Sequence, residues 1–422
     1  MLAEKIETAP DAGHKHHIAF FRQSGWLMIA TIAGGVLMWG VHFLSKKIPA
    51  SEYGILVTLF SVAGLIPTMP FQMVFAQQTA HALALNRDRQ LAGMIRTTWL
   101  GTFLVWLAAA VVVLFFQNRI VANWHLSNPV ALWMLLLVIL FSLWMPMFAG
   151  IMQGQQNFLW LGWSSLFGAA GRLGSAIFIV LVLNGAATGI MAGVFIGVLA
   201  SNVVGIWQTR SLWRGETESF DWHELLRQVI PLIFGFAAAQ FLFLADTSFV
   251  DTYFGADKTA PYGAAGTLSR ALMWLVLPLA AVMFPKIVHS TARAEKTNLL
   301  GVVLLGTAIL IGVGILGLWL LGPWMIRFVY PPEYVSATLA VLPWYAGAMI
   351  PLALANVLVN DLLARARFQA VPVLVVLAVA YGVALTQFHD SLVTVLKILG
   401  LFNLLLLGVC AWFSFGSPRS KV

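Results

Sequence analysis

Twelve apolar runs of about 19 to 26 residues, broken only by short charged or turn-forming stretches, dominate this chain and leave little room for anything else. They fall at about 26–44, 54–77, 98–116, 129–152, 158–183, 186–207, 228–250, 266–286, 298–322, 336–360, 369–387 and 391–415. A helix crossing a bilayer needs about 20 predominantly apolar residues, so each run is long enough to span. Only 9% of the residues are charged and 60% are hydrophobic, against roughly 25% charged in an ordinary soluble domain. No water-soluble interior could hide that much apolar surface. The predicted fold class is an all-α polytopic membrane protein of about twelve transmembrane helices. The 36 glycines and 17 tryptophans agree, since small residues let membrane helices approach and tryptophan favours the interface. The polar start before the first run carries no small-residue cleavage site after it, so that run reads as a retained helix. Cys410 is the only cysteine, which excludes an intrachain disulfide and a cysteine metal cluster. His14, His16 and His17 lack acidic or cysteine partners at ligand spacing, so neither a metal nor a cofactor is expected.

The net charge of +8 has its meaning in its distribution. Short loops rich in Lys and Arg stay cytoplasmic. With the N-terminus inside, sixteen basic residues fall on inner segments and five, Lys46, Lys47, Arg119, Lys258 and Arg327, on outer loops. Both termini are then cytoplasmic, and the basic balance needs no nucleic acid.

The two halves echo each other. Arg22-Gln23 and Arg227-Gln228 open spans 1 and 7, Tyr53-Gly54 and Tyr262-Gly263 mark spans 2 and 8, and Phe158 and Phe368 start spans 5 and 11, at offsets of 205, 209 and 210. A nearly constant offset predicts a duplicated six-helix unit, and an even number of spans makes the copies parallel. The expected organisation is a cytoplasmic segment 1–24, a first lobe 25–207, a cytoplasmic linker 208–226, a second lobe 227–415 and a cytoplasmic tail 416–422. Pro67 and Pro70 in span 2 and Pro278 in span 8 lie at similar depths, so matched breaks are expected there.

Ser51-Glu52-Tyr53-Gly54, Tyr253-Phe254-Gly255 through Tyr262-Gly263-Ala264-Ala265, Phe284-Pro285, and Tyr330 to Tyr334 resemble the polysaccharide flippases of the multidrug, oligosaccharidyl-lipid and polysaccharide exporter superfamily. The resemblance implies a two-lobed bundle in a bacterial inner membrane. It also implies that a polyprenyl-pyrophosphate-linked glycan moves from the cytoplasmic to the outer leaflet, with glycan polymerase and glycosyltransferases as partners. Flippases of the peptidoglycan precursor typically have fourteen helices and arginines on the first two. Here span 1 offers only His42 and span 2 no ionisable group, which counts against that substrate.

Ionisable groups at the centre of a membrane helix cost about 2.5–3.5 kcal/mol on insertion scales and normally face protein or water. Arg172 lies midway along span 5 among Gly168, Ala169, Ala170, Gly171 and Gly174. The expectation is that it faces a central cavity and grips a phosphate, for which a guanidinium fork is suited, or else bonds neighbouring carbonyls. Arg270 and Asp246 lie at similar depth and are expected to pair, as a gate or as a structural link, and Arg270 is also a candidate for substrate binding. Lys397, near the outer end of span 12, reads as substrate-binding or as snorkelling outward. Gln240 and Asn356, with Asn202, Asn403 and Tyr381, are candidates for sugar hydroxyls or for interhelical hydrogen bonds. His42 and Asp246 are the candidates for ion coupling or gating, and Asp251 reads as a solvated loop charge.

A membrane glycan polymerase or ligase would need extramembrane chemistry. The outer loops of about 3 to 16 residues hold no paired carboxylates and no nucleophile with a base, so no enzyme activity is expected. A cation-coupled drug antiporter of the same superfamily should line its cavity with acids, whereas Arg172, Arg270 and Lys397 outnumber Asp246 in the spans. A major-facilitator transporter also has six plus six helices, but Asp88-Arg89 lacks the flanking glycine and basic residues of that signature.

Overall fold

The computed structural model describes residues 26–27, 29–66, 68–218, 220, 222–292, 299–365 and 367–416, and it is helical almost throughout. The histidine-bearing tail segment lies outside the described residues. The helices are α1 (Ile29–Lys47), α2 (Ala50–Gly64 and Thr68–Ala84), α3 (Asp88–Asn123), α4 (Val130–Gly154), α5 (Phe158–Leu183) and α6 (Ala186–Gln208). The second set is α7 (Trp222–Phe254), α8 (Ala256–Ala292), α9 (Leu299–Val329), α10 (Pro332–Ala364), α11 (Val371–Gln387) and α12 (Leu392–Ala411). Eleven stretches of the described residues are long and apolar enough to cross a membrane, and α8 stands where the remaining span was read. Several helices outrun their apolar runs. α3 begins at Asp88 rather than near 98, because its polar first turns continue the helix beyond the apolar band.

The internal repeat is written in the packing. α2 packs on α4, α4 on α6, α5 on α6 and α1 on α5, and the same four pairings recur as α8 on α10, α10 on α12, α11 on α12 and α7 on α11. α3 and α9, equivalent under the repeat, both present long apolar flanks, with Phe115 at 81% and Trp319 at 74% exposure. In a bilayer these faces meet acyl chains.

α2 is broken in two, with Pro70 in the first turn of its second half, where a proline ring displaces no helical hydrogen bond. Pro67 lies outside the described residues. The break leaves the carbonyl of Gly64 without a helical donor, and Gln240 Nε2 on α7 supplies one at 2.7 Å. The matching break expected in α8 does not occur, since the backbone is helical from Ala256 to Ala292, across Pro278. Well-spaced prolines bend a helix without ending it, and Pro261, Pro278 and Pro285 of α8 lie seven or more residues apart, whereas α2 concentrates Gly64, Pro67 and Pro70 within two turns.

The lobes meet chiefly through α2 against α7 and α8, with α1 touching α9. At Gly54 an added Cβ would stand 1.9 Å from the carbonyl oxygen of Ala256, and at Gly263 an added Cβ would stand 2.5 Å from the Val57 side chain. The two repeat-related Tyr-Gly pairs are therefore the places where α2 and α8 come together. Above them Lys46 Nζ donates to the Phe328 carbonyl at 2.6 Å and Ser45 Oγ to the Val329 carbonyl at 3.3 Å. Those are last-turn carbonyls of α9, which a helix leaves unpaired. Glu52 Oε2 accepts the Ala187 amide at 3.0 Å at the start of α6, a favourable place for an anion. These contacts close the end of the bundle that the charge distribution assigns to the outside. At the opposite end the segment after α6 is held against α3: Arg96 Nη2 donates to the Gly215 carbonyl at 2.6 Å, and Arg89 pairs with Glu216 at 3.0 Å.

Candidate functional site

A buried polar cluster sits inside the second lobe. Tyr262 and Arg270 lie eight residues apart on α8, a spacing that puts both on one helix face, and Asp246 comes from the facing turn of α7. Asp246 is fully buried and Arg270 is 9% exposed. Arg270 Nη2 donates to Asp246 Oδ1 at 2.7 Å and to Thr247 Oγ1 at 3.0 Å, while its Nε donates to the Phe243 carbonyl at 3.1 Å. The hydroxyls of Tyr262, at 2.7 Å, and of Tyr345 on α10 both donate to Asp246 Oδ2. The guanidinium also lies 5.6 Å from the Phe243 ring centre and 5.4 Å from that of Tyr345. Nε and Nη2 of the arginine and both carboxylate oxygens are committed, so the pair is internally neutralised and ties α7, α8 and α10 together.

The first lobe carries a different arrangement. His42 Nδ1 and the Tyr53 hydroxyl are 2.8 Å apart and buried, and the Tyr53 ring lies 5.6 Å from Tyr330 and 6.0 Å from Tyr334 across the lobe boundary. Arg172 on α5 lies close enough to His42 for their charges to interact, and its guanidinium stacks 4.6 Å from the Phe60 ring centre on α2. No carboxylate pairs with Arg172 among the described residues, and its buried Nε has no hydrogen-bond partner. The surrounding glycines serve helix contact. An added Cβ at Gly197 of α6 would stand 2.7 Å from the Arg172 backbone nitrogen, so close approach of α6 fixes the root of the arginine while its head remains free to bind an anion.

The other candidates disperse. Lys397 is exposed, with Nζ 5.3 Å from the ring centre of Trp344. Gln240 is committed at the α2 break. Asn356 is half-buried, and its carbonyl accepts from Asn360 Nδ2 at 2.8 Å. Asn202 donates to the Phe141 carbonyl at 3.0 Å and Asn403 to the Ala348 carbonyl at 2.9 Å, both tying helices together. Tyr381 is fully buried with its hydroxyl unpartnered. Asp251 is not a solvated loop charge. α7 continues to Phe254, so this carboxylate lies one turn inside the helix and is fully buried.

A family model described as polysaccharide biosynthesis protein matches residues 20–291, well over half of the chain. The chain belongs to this family. No curated protein sequence matches it. Among solved structures, the lipid II flippase MurJ in an inward closed conformation aligns with a TM-score of 0.68 at 14% identity, covering 94% of this chain and 88% of that one. A multidrug resistance MATE family transporter of the MOP superfamily, inward-facing, gives 0.67 at 9% identity over 90% and 97% of the two chains. A MOP superfamily transporter from Pyrococcus furiosus Vc1 (DSM3638), described as having a binding pocket of reverse polarity, gives 0.65 at 10% identity over 94% and 95%. These likenesses establish the two-lobed flippase and exporter fold. Of the residues that carry the sequence resemblance, Tyr53, Gly54, Gly263, Tyr330 and Tyr334 meet at the closed end between the lobes.

Tyr345, Thr247 and Thr58 were not among the candidates read from the sequence. The usable signal was scarcity: the chain has seven tyrosines, and all but Tyr253 are buried. Buried phenols tend to sit beside a polar partner, as Tyr53, Tyr262 and Tyr345 do here, so these three positions mark where polar chemistry is enclosed.

Proposed function

We propose that this protein is a flippase that carries a polyprenyl-pyrophosphate-linked oligosaccharide from the inner to the outer leaflet of a bacterial cytoplasmic membrane for surface polysaccharide synthesis. Its two lobes would give alternating access to a cationic cavity, with both termini cytoplasmic and the linker 208–226 between lobes 25–207 and 227–415. The observation that carries the reading is Arg172: a guanidinium midway along a membrane helix, seated on Phe60, with no carboxylate among the described residues to neutralise it. A half-buried cation without an acidic partner in a membrane span is costly unless it meets an anion, and a pyrophosphate supplies one with matching fork geometry. In this reading Lys397 adds positive charge, Asn356 and the side-chain oxygen of Gln240 meet sugar hydroxyls, and His42 beside Tyr53 takes part in gating. Arg270 and Asp246, which neutralise each other, act together as a link within the second lobe that substrate or a proton would loosen. A drug-cation antiporter is less well supported, because Asp246 already holds a cation of its own. Catalysis is not part of the reading. Glycan polymerase and glycosyltransferases supply and consume the lipid-linked substrate.

Arg172→Ala is expected to abolish surface glycan and to accumulate the lipid-linked intermediate at unchanged protein level. Arg172→Lys should keep partial export, since a lysine still attracts phosphate as a point charge. Normal glycan in Arg172→Ala cells would remove this residue from substrate recognition.

A further inference from the structure

Among the described residues, Asp251 is a carboxylate with no cation to hold its charge. It is fully buried, neither of its oxygens has a hydrogen-bond partner, and among the described residues no cation forms an ion pair with it. Two hydroxyls lie beside it, Thr259 on α8 and Thr58 on α2. Gly255 brings the first of these into place. Its φ of +82° turns the chain sharply between α7 and α8, a conformation that glycine adopts without strain. The Asp251 carbonyl accepts from the Gly255 amide at 3.0 Å and the Gly255 carbonyl from the Thr259 amide at 3.1 Å. The second hydroxyl crosses the lobe boundary, one turn below the contact of Gly54 with Ala256.

The hydroxyl protons do not solve the problem. Thr259 Oγ1 donates to the Gly255 carbonyl at 2.9 Å and so turns only lone pairs toward the carboxylate. Thr58 Oγ1 is buried without a partner, and one hydroxyl donor covers one of about four acceptor positions on an ionised carboxylate. The charged and titratable groups of the neighbouring helices are engaged elsewhere. Glu52 on α2 caps α6, and Tyr53 is bonded to His42. On α8, Asp257 and Lys258 are exposed, while Tyr262 and Arg270 belong to Asp246, as does Tyr345 on α10. Glu333 on α10 is exposed and Tyr334 adjoins Tyr53. Beyond them, Tyr381 on α11 lies against Phe241 and Phe402, His389 stacks on Tyr253, Asp390 is exposed and Lys397 on α12 lies over Trp344.

We infer that Asp251, Thr58 and Thr259 form a site for a small monovalent cation, a proton or Na+, that fastens the first lobe to the second at the closed end. A carboxylate and two hydroxyls are hard oxygen donors suited to such an ion. Because Thr58 belongs to the other lobe, separating the lobes dismantles the site, so its occupancy and closure of this end are linked. The inference does not depend on the glycan reading, and its test reads conformation rather than export.

The experiment is a distance measurement between spin labels at Lys47→Cys and Glu333→Cys in a Cys410→Ser background, with the full chain in vesicles. In Na+-free buffer the short distance should prevail at acid pH and give way to a longer one as pH rises. Adding Na+ at the alkaline end distinguishes the sources: restoration of the short distance identifies a Na+ site, and no effect identifies a proton alone. Asp251→Asn and Asp251→Ser should keep the short distance in every buffer. If Na+ is bound, Thr58→Val should weaken its effect at least tenfold. A wild-type distance indifferent to both pH and Na+, or an Asp251→Asn protein that still responds as wild type does, would overturn the inference. The wild-type comparison decides by itself if neither Asp251 variant accumulates.

Discussion

Replacing Arg270 with alanine would leave the Asp246 carboxylate buried with only tyrosine hydroxyls for company, and removing one partner of a buried ion pair typically costs about 3–5 kcal/mol. The Arg270→Ala protein should therefore unfold at markedly lower temperature in detergent. Asp246→Asn combined with Arg270→Ala should recover part of the loss, because no uncompensated charge remains. A double-mutant cycle on thermal unfolding measures this, and additive losses would show that the pair acts independently. At this scale the sequence was readable where charge was involved: Asp246 and Arg270 stand out in apolar helices and their similar depth implied contact. Tyr345 was not readable, because its place beside Asp246 depends on the rotation of α10 against α7, and no pattern in the α10 sequence fixes that angle. Asp251 was misread because α7 continues to Phe254, beyond the apolar run, so the carboxylate sits inside the helix and not in a loop.

At the scale of helices, the closed end depends on residues without side chains. A Cβ on Gly54 would meet the Ala256 carbonyl at 1.9 Å, and a backbone atom at a helix start cannot rotate away as a side-chain tip can. Gly54→Ala should force α2 and α8 apart and destabilise the closed arrangement by about 1–3 kcal/mol or more, the usual range for overpacking. Labels at Lys47 and Glu333 should then report a longer distance at every pH. An unchanged distance and melting temperature would mean that α2 and α8 are not in close contact here. Gly312 and Gly317 on α9 face open space, so alanine at either should be tolerated and serves as the control. Apolar runs located the helices well but not their ends, because polar first turns such as Asp88 to Arg96 are helical without being apolar. The proline rule failed in α8 because prolines seven or more residues apart bend a helix without ending it, whereas Gly64, Pro67 and Pro70 are clustered within two turns at the break of α2.

For the whole molecule, a residue offset near 209 in three places anticipated a duplicated unit, and the matching helix pairings of the two halves realise it. Which end of the bundle is closed could not be read from the chain, since closure depends on contacts between helices that sequence separation hides, such as Lys46 with Phe328 and Tyr53 with Tyr330. The same separation leaves Arg172 as the one mid-helix arginine without an acidic partner among the described residues, and on that imbalance the proposed transport of a phosphate-bearing lipid rests. The direct measurement is translocation by the purified protein in vesicles of a polyprenyl-pyrophosphate-linked oligosaccharide, compared with the same oligosaccharide on an uncharged polyprenyl carrier. The wild-type protein should move the first far faster than the second, and Arg172→Ala should erase the difference. Equal rates for both lipids in wild type, or undiminished preference in Arg172→Ala, would contradict a cationic path for the pyrophosphate.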